Sequence, residues 1–279
     1  MPLYNENDSG LVLPVETRTT AIDGDYVFMI DATTNIPYRI TKANLLAGLS
    51  SSGSGGTSGG SGGSSGMDTY FSNVVLLLNF DGSNGSNVFT DIKGHTFTAN
   101  GATLSTAQFK HGSSSGLFSN NSISTSNSSD FDFNSGSTFT IESWVYRLAS
   151  GVSHAICGKL PQVANQGFSF HVASDDVLSF ESDGASPHIE SGLTVPINQW
   201  VYVAVAHSGS NYTFAVNSTT ATISNSTSWS GSSNGLYVGE NGRNDAYSAY
   251  FNGYIDDLRI TNGIARDIST VPTAAFPNS

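Results

Sequence analysis

Two carboxylates facing each other across a cleft would make this chain a glycan hydrolase, one of them serving as general acid. Its acids are not grouped in that way. Glu142, in FTIESWVYR, has no acidic neighbour two or four residues away and reads as a structural hydrogen-bonding group. Glu181 and Asp183 fall at a strand end and turn, where solvation explains them, and Glu190 stands alone in HIE. The six histidines, at 95, 111, 154, 171, 188 and 207, are scattered singly without metal-type spacing. His171 and His207 fall within or at the ends of strands and read as satisfied sheet histidines. No Gly-x-Ser-x-Gly elbow, phosphate loop or dinucleotide fingerprint occurs. Cys157, in HAICGKL, reads as a small core hydrophobe. The chain is therefore expected to have no catalytic residues and no enzymatic activity.

Sugar binding needs less: an aromatic to stack on and amide or charged groups to hydrogen-bond hydroxyls. Two segments offer this. SNSTSWSGSSNG places Trp229 among small polar residues, where it either meets a ligand or folds back onto the protein. ENGRNDAYSAYFNGY gathers Arg243, Asn244, Asp245, Tyr247 and Tyr250 within eight positions. Trp144 and Trp200, inside apolar strands, are expected in the core.

The elements that must position these residues are short strands. Of 279 residues, 22 are acidic and 10 basic, net −12, and 30 are glycine. Such an acidic chain cannot neutralise a phosphate backbone, so nucleic acid is not an expected partner. A single cysteine forms no internal disulfide. No apolar run reaches the roughly 18 residues of a membrane span, and no secretory signal is visible at the N-terminus. Synthesis in the cytoplasm and no membrane insertion are expected. Apolar runs at Val74–Phe80, Phe139–Arg147, Gly167–Val172, Val177–Glu181, Trp200–His207, Asn211–Val216, Leu236–Val238 and Phe251–Ile260 alternate with Asp-Gly, Asn-Gly and Ser-Gly turns. That pattern predicts an all-β sandwich or jelly roll. VVLLL and WVYVAVA are apolar at every position and should be covered on both faces.

Ser50 to Gly66 is Gly and Ser except for Thr57, a flexible coil spanning roughly 20–25 Å. A fusion linker would read the same, but Thr57 and the irregular period favour a natural one. It separates residues 1–49, net −3, from a 213-residue domain at 67–279, net −9. In the first part, strands at Tyr26–Ile30 and Pro37–Thr41 and a short helix over Lys42 to Leu49 bury too little to stand alone. An anchor docking on another copy or a larger assembly is the expectation.

Four segments of the larger domain carry a family resemblance: NVVLLLNFDGSNGSNVFTDIKGHTFTANGATLSTAQFKHGSSSGLF, DFDFNSGSTFTIESWVYR, NQWVYVAVAHSGSNYTFAVNS and FNGYIDDLRITNGIARD. It resembles the laminin-G-like, concanavalin-A-like jelly rolls found in phage structural proteins. DYVFMIDATTNIPYRITKANLLAGL is similar to a segment that opens phage tail-fibre and head-fibre proteins. The resemblance implies a virion protein, a short tail or head fibre, attached to other virion subunits through residues 1–49. It implies assembly as a homotrimer and presentation of the jelly roll to a host-surface glycan or envelope component. A capsid decoration protein and a polysaccharide depolymerase are the alternatives, but the Glu-x-Asp-x-x-Glu strand of the family's glycanases is missing. The family also implies a structural Ca²⁺ held by Asp256, in GYIDDLRI, and by the turn at Asp81 and Gly82. The alternative reading of Asp256 is a structural carboxylate that pairs with Arg259 or caps a turn.

Overall fold

In the computed structural model the described residues are 26–30, 37–41, 67–162, 166–182, 188–243, 245 and 248–279. The chain divides into two compact units, Met1–Gly62 and Gly63–Ser279. In the first, β1 (Tyr26–Ile30) and β2 (Pro37–Thr41) pair antiparallel, Tyr26 opposite Thr41 and Ile30 opposite Pro37. The expected helix at 42–49 and the Gly/Ser linker lie outside the described residues.

The second unit is a jelly-roll sandwich of two antiparallel sheets. One sheet has seven strands: β12 (Ile189–Thr194), β11 (Val177–Glu181), β10 (Ser169–Val172), β9 (His154–Gly158), β16 (Leu236–Val238), β7 (Ser122–Thr125) and β4 (Thr98–Asn100), in that order. The other has eight: β15 (Thr219–Ser224), β14 (Asn211–Val216), β13 (Trp200–Ser208), β8 (Phe139–Arg147), β17 (Asn252–Asn262), β6 (Ser115–Ser119) and β5 (Thr103–Ser105), with β3 (Val74–Leu78) also on β17. The strands at 139–147, 177–181, 211–216 and 236–238 have the predicted bounds.

Alternation explains the layers. Phe139, Ile141 and Val145 of β8 and Val201, Val203 and Val205 of β13 face the intersheet core, where they meet Phe170, Phe180 and Val238 of the opposite sheet. Aromatic rings thicken that core: Phe133 stacks on Phe139 at 4.7 Å and Phe168 on Phe180 at 5.9 Å.

The outer row of the eight-stranded sheet is also buried. Trp144, Tyr202, Ala204 and Ala206 pack with Ile268 and Phe276, because the C-terminal segment folds back across this face. Beneath it lies an ionic network. Glu142 accepts from Tyr202 Oη at 2.7 Å and from the Arg259 guanidinium at 2.8 and 3.0 Å. Arg259 and Arg266 both donate to Asp68, whose amide donates to the Ser279 carbonyl at 3.0 Å. The domain's two ends are thereby tied together, and the apolar-throughout strands have their second cover.

Candidate functional site

The outer face of the seven-stranded sheet carries a groove of about 930 Å³. Its floor comes from alternation in β10 and β11: Phe170, Val172, Leu178 and Phe180 point into the core, so Ser169, His171 and Glu181 point out. Ser169 stands opposite Glu181 in the register, and His171 opposite Ser179. Asn120, Val152, Ser153 and Asn252 form one wall, and Asn241, Arg243, Ser248 and Tyr250 another. Glycines let that second wall lie close. A side chain at Gly158 of β9 would come within 2.7 Å of the Asn241 backbone, and Gly242 has φ +87°, a conformation glycine adopts without strain.

Within this wall Asp245 forks the Arg243 guanidinium, with Nε and Nη2 donating at 3.0–3.2 Å, and Ser248 Oγ accepts from the Asp245 amide at 2.9 Å. Asn241 Oδ1 accepts from the Arg243 amide at 3.3 Å. Tyr250 bonds Glu240, and burial, followed by that neighbouring carboxylate, raises the phenol pKa. Glu240 also accepts from Ser122 Oγ at 2.9 Å, and burial raises its carboxyl. Tyr250 and Arg243 both line the groove and offer it a hydroxyl and a guanidinium, groups suited to hydrogen-bonding neutral hydroxyls.

On the groove floor, His171 is buried and its pKa is lowered to about 4, first by burial and then by neighbouring His188. His188 Nδ1 lies 3.3 Å from His171 Nε2 and 3.9 Å from Glu181 Oε2.

Trp229 requires correction. It is 4% exposed, packs on Phe180 at 5.9 Å between ring centroids and donates its indole N–H to Tyr212 Oη at 3.0 Å. It belongs to the core and offers no face to a ligand. Of the five residues expected in the 243–250 segment, Arg243 and Tyr250 line the groove and Asp245 holds Arg243 in place. Asn244 and Tyr247 lie outside the described residues.

The aspartates expected to hold calcium lie elsewhere, where β17 meets the 110–113 loop. Asp256 is fully buried, and its oxygens accept three backbone amides: Lys110 at 2.7 Å, His111 at 3.1 Å and Asp257 at 2.9 Å. Burial, then the adjacent Asp257 charge, raises its pKa to about 8. It does not pair with Arg259, which is engaged by Glu142 and Asp68. Asp257, at φ +46° beside a break in the β17–β8 ladder, turns one oxygen to His111 Nδ1 at 2.6 Å. Its other oxygen, Oδ1, is buried without a hydrogen-bond partner. Burial raises Asp257, and the Asp81 charge adds to that rise. Asp81 itself accepts from the Ser113 amide at 2.7 Å and from Ser113 Oγ at 3.1 Å. A buried carboxylate oxygen without a partner, with the Asp81 charge near enough to act on it, fits a hard cation, while the Asp256 oxygens are engaged in fastening the loop.

Residues 117–266, more than half of the chain, match the family model of the concanavalin A-like lectin/glucanases superfamily. The chain belongs to that superfamily. Among solved structures, the binding domain of Paraclostridial Mosquitocidal Protein 1 is similar, with a TM-score of 0.54 and 17% identity. The match covers 71% of this chain and 51% of that one, so this chain spans about half the length of that binding domain. Domain 4 of AbnA, a GH43 extracellular arabinanase from Geobacillus stearothermophilus solved with arabinotriose, matches with a TM-score of 0.52 and 19% identity. There the match covers 71% of this chain and 96% of the domain. At these identities the likeness is one of fold. No curated protein matches the chain.

In this member of the concanavalin A-like superfamily, sequence reasoning missed His171, Glu181, His188 and Asn241 as groove residues. Period-two alternation in SFHV and VLSFE carried a signal for His171 and Glu181, which share the outward face. Nothing in the spacing placed His188 beside them, because residues 182–187 intervene before β12.

Proposed function

We propose that residues 67–279 form a non-enzymatic glycan-binding module that recognises sugar through the groove on the seven-stranded sheet. The observation that carries this reading is the convergence of Asn241, Arg243, Tyr250, Ser153 and Asn252 on one open depression. Amide, guanidinium and hydroxyl groups supply the directional bonds sugars require, and the half-buried Tyr250 ring supplies an apolar surface. Superfamily membership and the likeness in fold to a toxin binding domain and to a domain solved with arabinotriose support it. Of the described carboxylates at or beside the groove, Asp245 is committed to Arg243 and Glu240 to Ser122 and Tyr250, so they offer Glu181 no uncommitted second carboxylate for the pair, roughly 5–9.5 Å apart, that hydrolysis requires.

The finer reading is a phage fibre subunit, a homotrimer whose residues 1–49 attach to other virion subunits. Its support is the resemblance of the 25–49 segment and the Gly/Ser tether, which would let weak sites act together by avidity. A structural Ca²⁺ between Asp257 and Asp81 is proposed alongside it, to neutralise a buried acidic corner. Screening the full chain on a glycan array tests the central reading. Binding to a related set of glycans is expected; no binding to any saccharide, with the folded state verified by a cooperative melt, would overturn it.

A further inference from the structure

We propose that His171, Glu181 and His188 form a transition-metal site of the type zinc occupies, with one coordination position open to the groove. The ligand atoms, one from each residue, all lie within 4.8 Å of one another. Zinc–nitrogen bonds of about 2.0–2.1 Å place two ligands of a tetrahedron about 3.3–3.4 Å apart. His171 Nε2 and His188 Nδ1 are 3.3 Å apart. Glu181 Oε2, 3.9 Å from His188 Nδ1, needs a small side-chain rotation to complete a third corner.

The site is oriented from behind. His171 Nδ1 lies 3.5 Å from the Ser169 carbonyl oxygen and 3.4 Å from Ser169 Oγ. A proton on Nδ1 directed at that carbonyl leaves the Nε2 lone pair facing His188, the second-sphere arrangement that fixes a ligating imidazole. Burial keeps His171 neutral at ordinary pH, the form a metal requires. Two imidazoles and one carboxylate suit zinc and its neighbours; calcium prefers an all-oxygen set. The His188 side chain is 45% exposed, which gives the ion an entry path and leaves the fourth corner to water or a ligand oxygen. With Arg243 and Tyr250 lining the same groove, an ion here would add a Lewis-acidic contact to their hydrogen bonds.

The simpler arrangement is a hydrogen-bonded histidine pair, with His188 donating to His171 and no ion involved. It makes no metal-dependent prediction, and that separates the two. Tag-free full-length chain, stripped with EDTA, is titrated with ZnCl₂ by calorimetry, and its melting is followed with and without zinc. One equivalent of zinc and a raised melting temperature are expected. His188→Ala and Glu181→Gln, both at the groove surface, should each weaken zinc binding about tenfold or more while leaving the EDTA melt unchanged. With Co²⁺ in place of zinc, intense visible bands of tetrahedral coordination are expected, lost in His188→Ala. No zinc heat, or equal affinity in both variants, would overturn the proposal. Neither result bears on the glycan reading, because glycan binding can be measured separately in EDTA.

Discussion

Over the eight-stranded sheet, the C-terminal segment lays Ile268 and Phe276 on Trp144, Tyr202 and Ala204, and ion pairs beneath tie the domain's ends together. Over the seven-stranded sheet the equivalent outer row is Ser169, His171, Glu181 and Ser179, and it borders a groove. The same alternation produces both faces; what differs is the chemistry of the outward residues. An apolar outer row requires a cover and therefore serves stability. A polar outer row needs no apolar cover: Ser169, His171 and Ser179 are buried beneath the groove, while Glu181 and His188 reach its surface. The sealed face should accordingly be expensive to disturb, and the grooved face cheap to disturb but sensitive in binding.

The largest effect should come from the sealed face. Glu142→Ala strips Arg259 and Tyr202 of a buried partner and should cost about 3–5 kcal/mol. Urea unfolding of the full chain checks this; a loss below about 1 kcal/mol would mean that the network is solvated and the cover loose.

Calcium comes next. A ligand that binds only the native state at a hundredfold excess over Kd contributes about 2.7 kcal/mol, a melting shift of several degrees. Asp257→Asn should abolish the calcium-dependent increment. Asp256→Ala should lower the melting temperature with or without calcium, since it frees the amides of Lys110 and His111. Identical melting of the parent chain in millimolar Ca²⁺ and in EDTA would rule the site out.

Trp229→Phe keeps most of the ring but loses the bond to Tyr212, leaving that hydroxyl without its partner, and should cost about 1–3 kcal/mol. It should leave glycan affinity unchanged, and a specific loss of affinity at normal stability would return Trp229 to the binding surface.

Much of the fold was legible because the strands report burial directly. VVLLL and WVYVAVA are apolar at every position, and both of their faces proved covered, although the segment covering one of them, ending in TAAFPNS, has no strand pattern of its own. The site was legible in part. Arg243 and Tyr250 stood out as a polar-aromatic cluster and do line the groove. Trp229 misled because its neighbours are small and polar, while its burial is set by Phe180 and Tyr212, far away in sequence. At Asp256 a carboxylate in the right strand was legible, but the amides of the 110–111 loop that its oxygens accept were not.

Arg243→Ala provides the most direct test of the grooved face. It removes a cation held by Asp245 at a partly exposed position, so its effect on stability should stay within about 0.5 kcal/mol. Affinity for the best array glycan, measured by calorimetry on the full chain in EDTA, should fall about tenfold or more, as expected when a hydrogen-bonding partner worth about 1.5–3 kcal/mol is deleted. Undiminished affinity in Arg243→Ala, together with undiminished affinity in Tyr250→Ala, would contradict the account and place glycan recognition outside this groove.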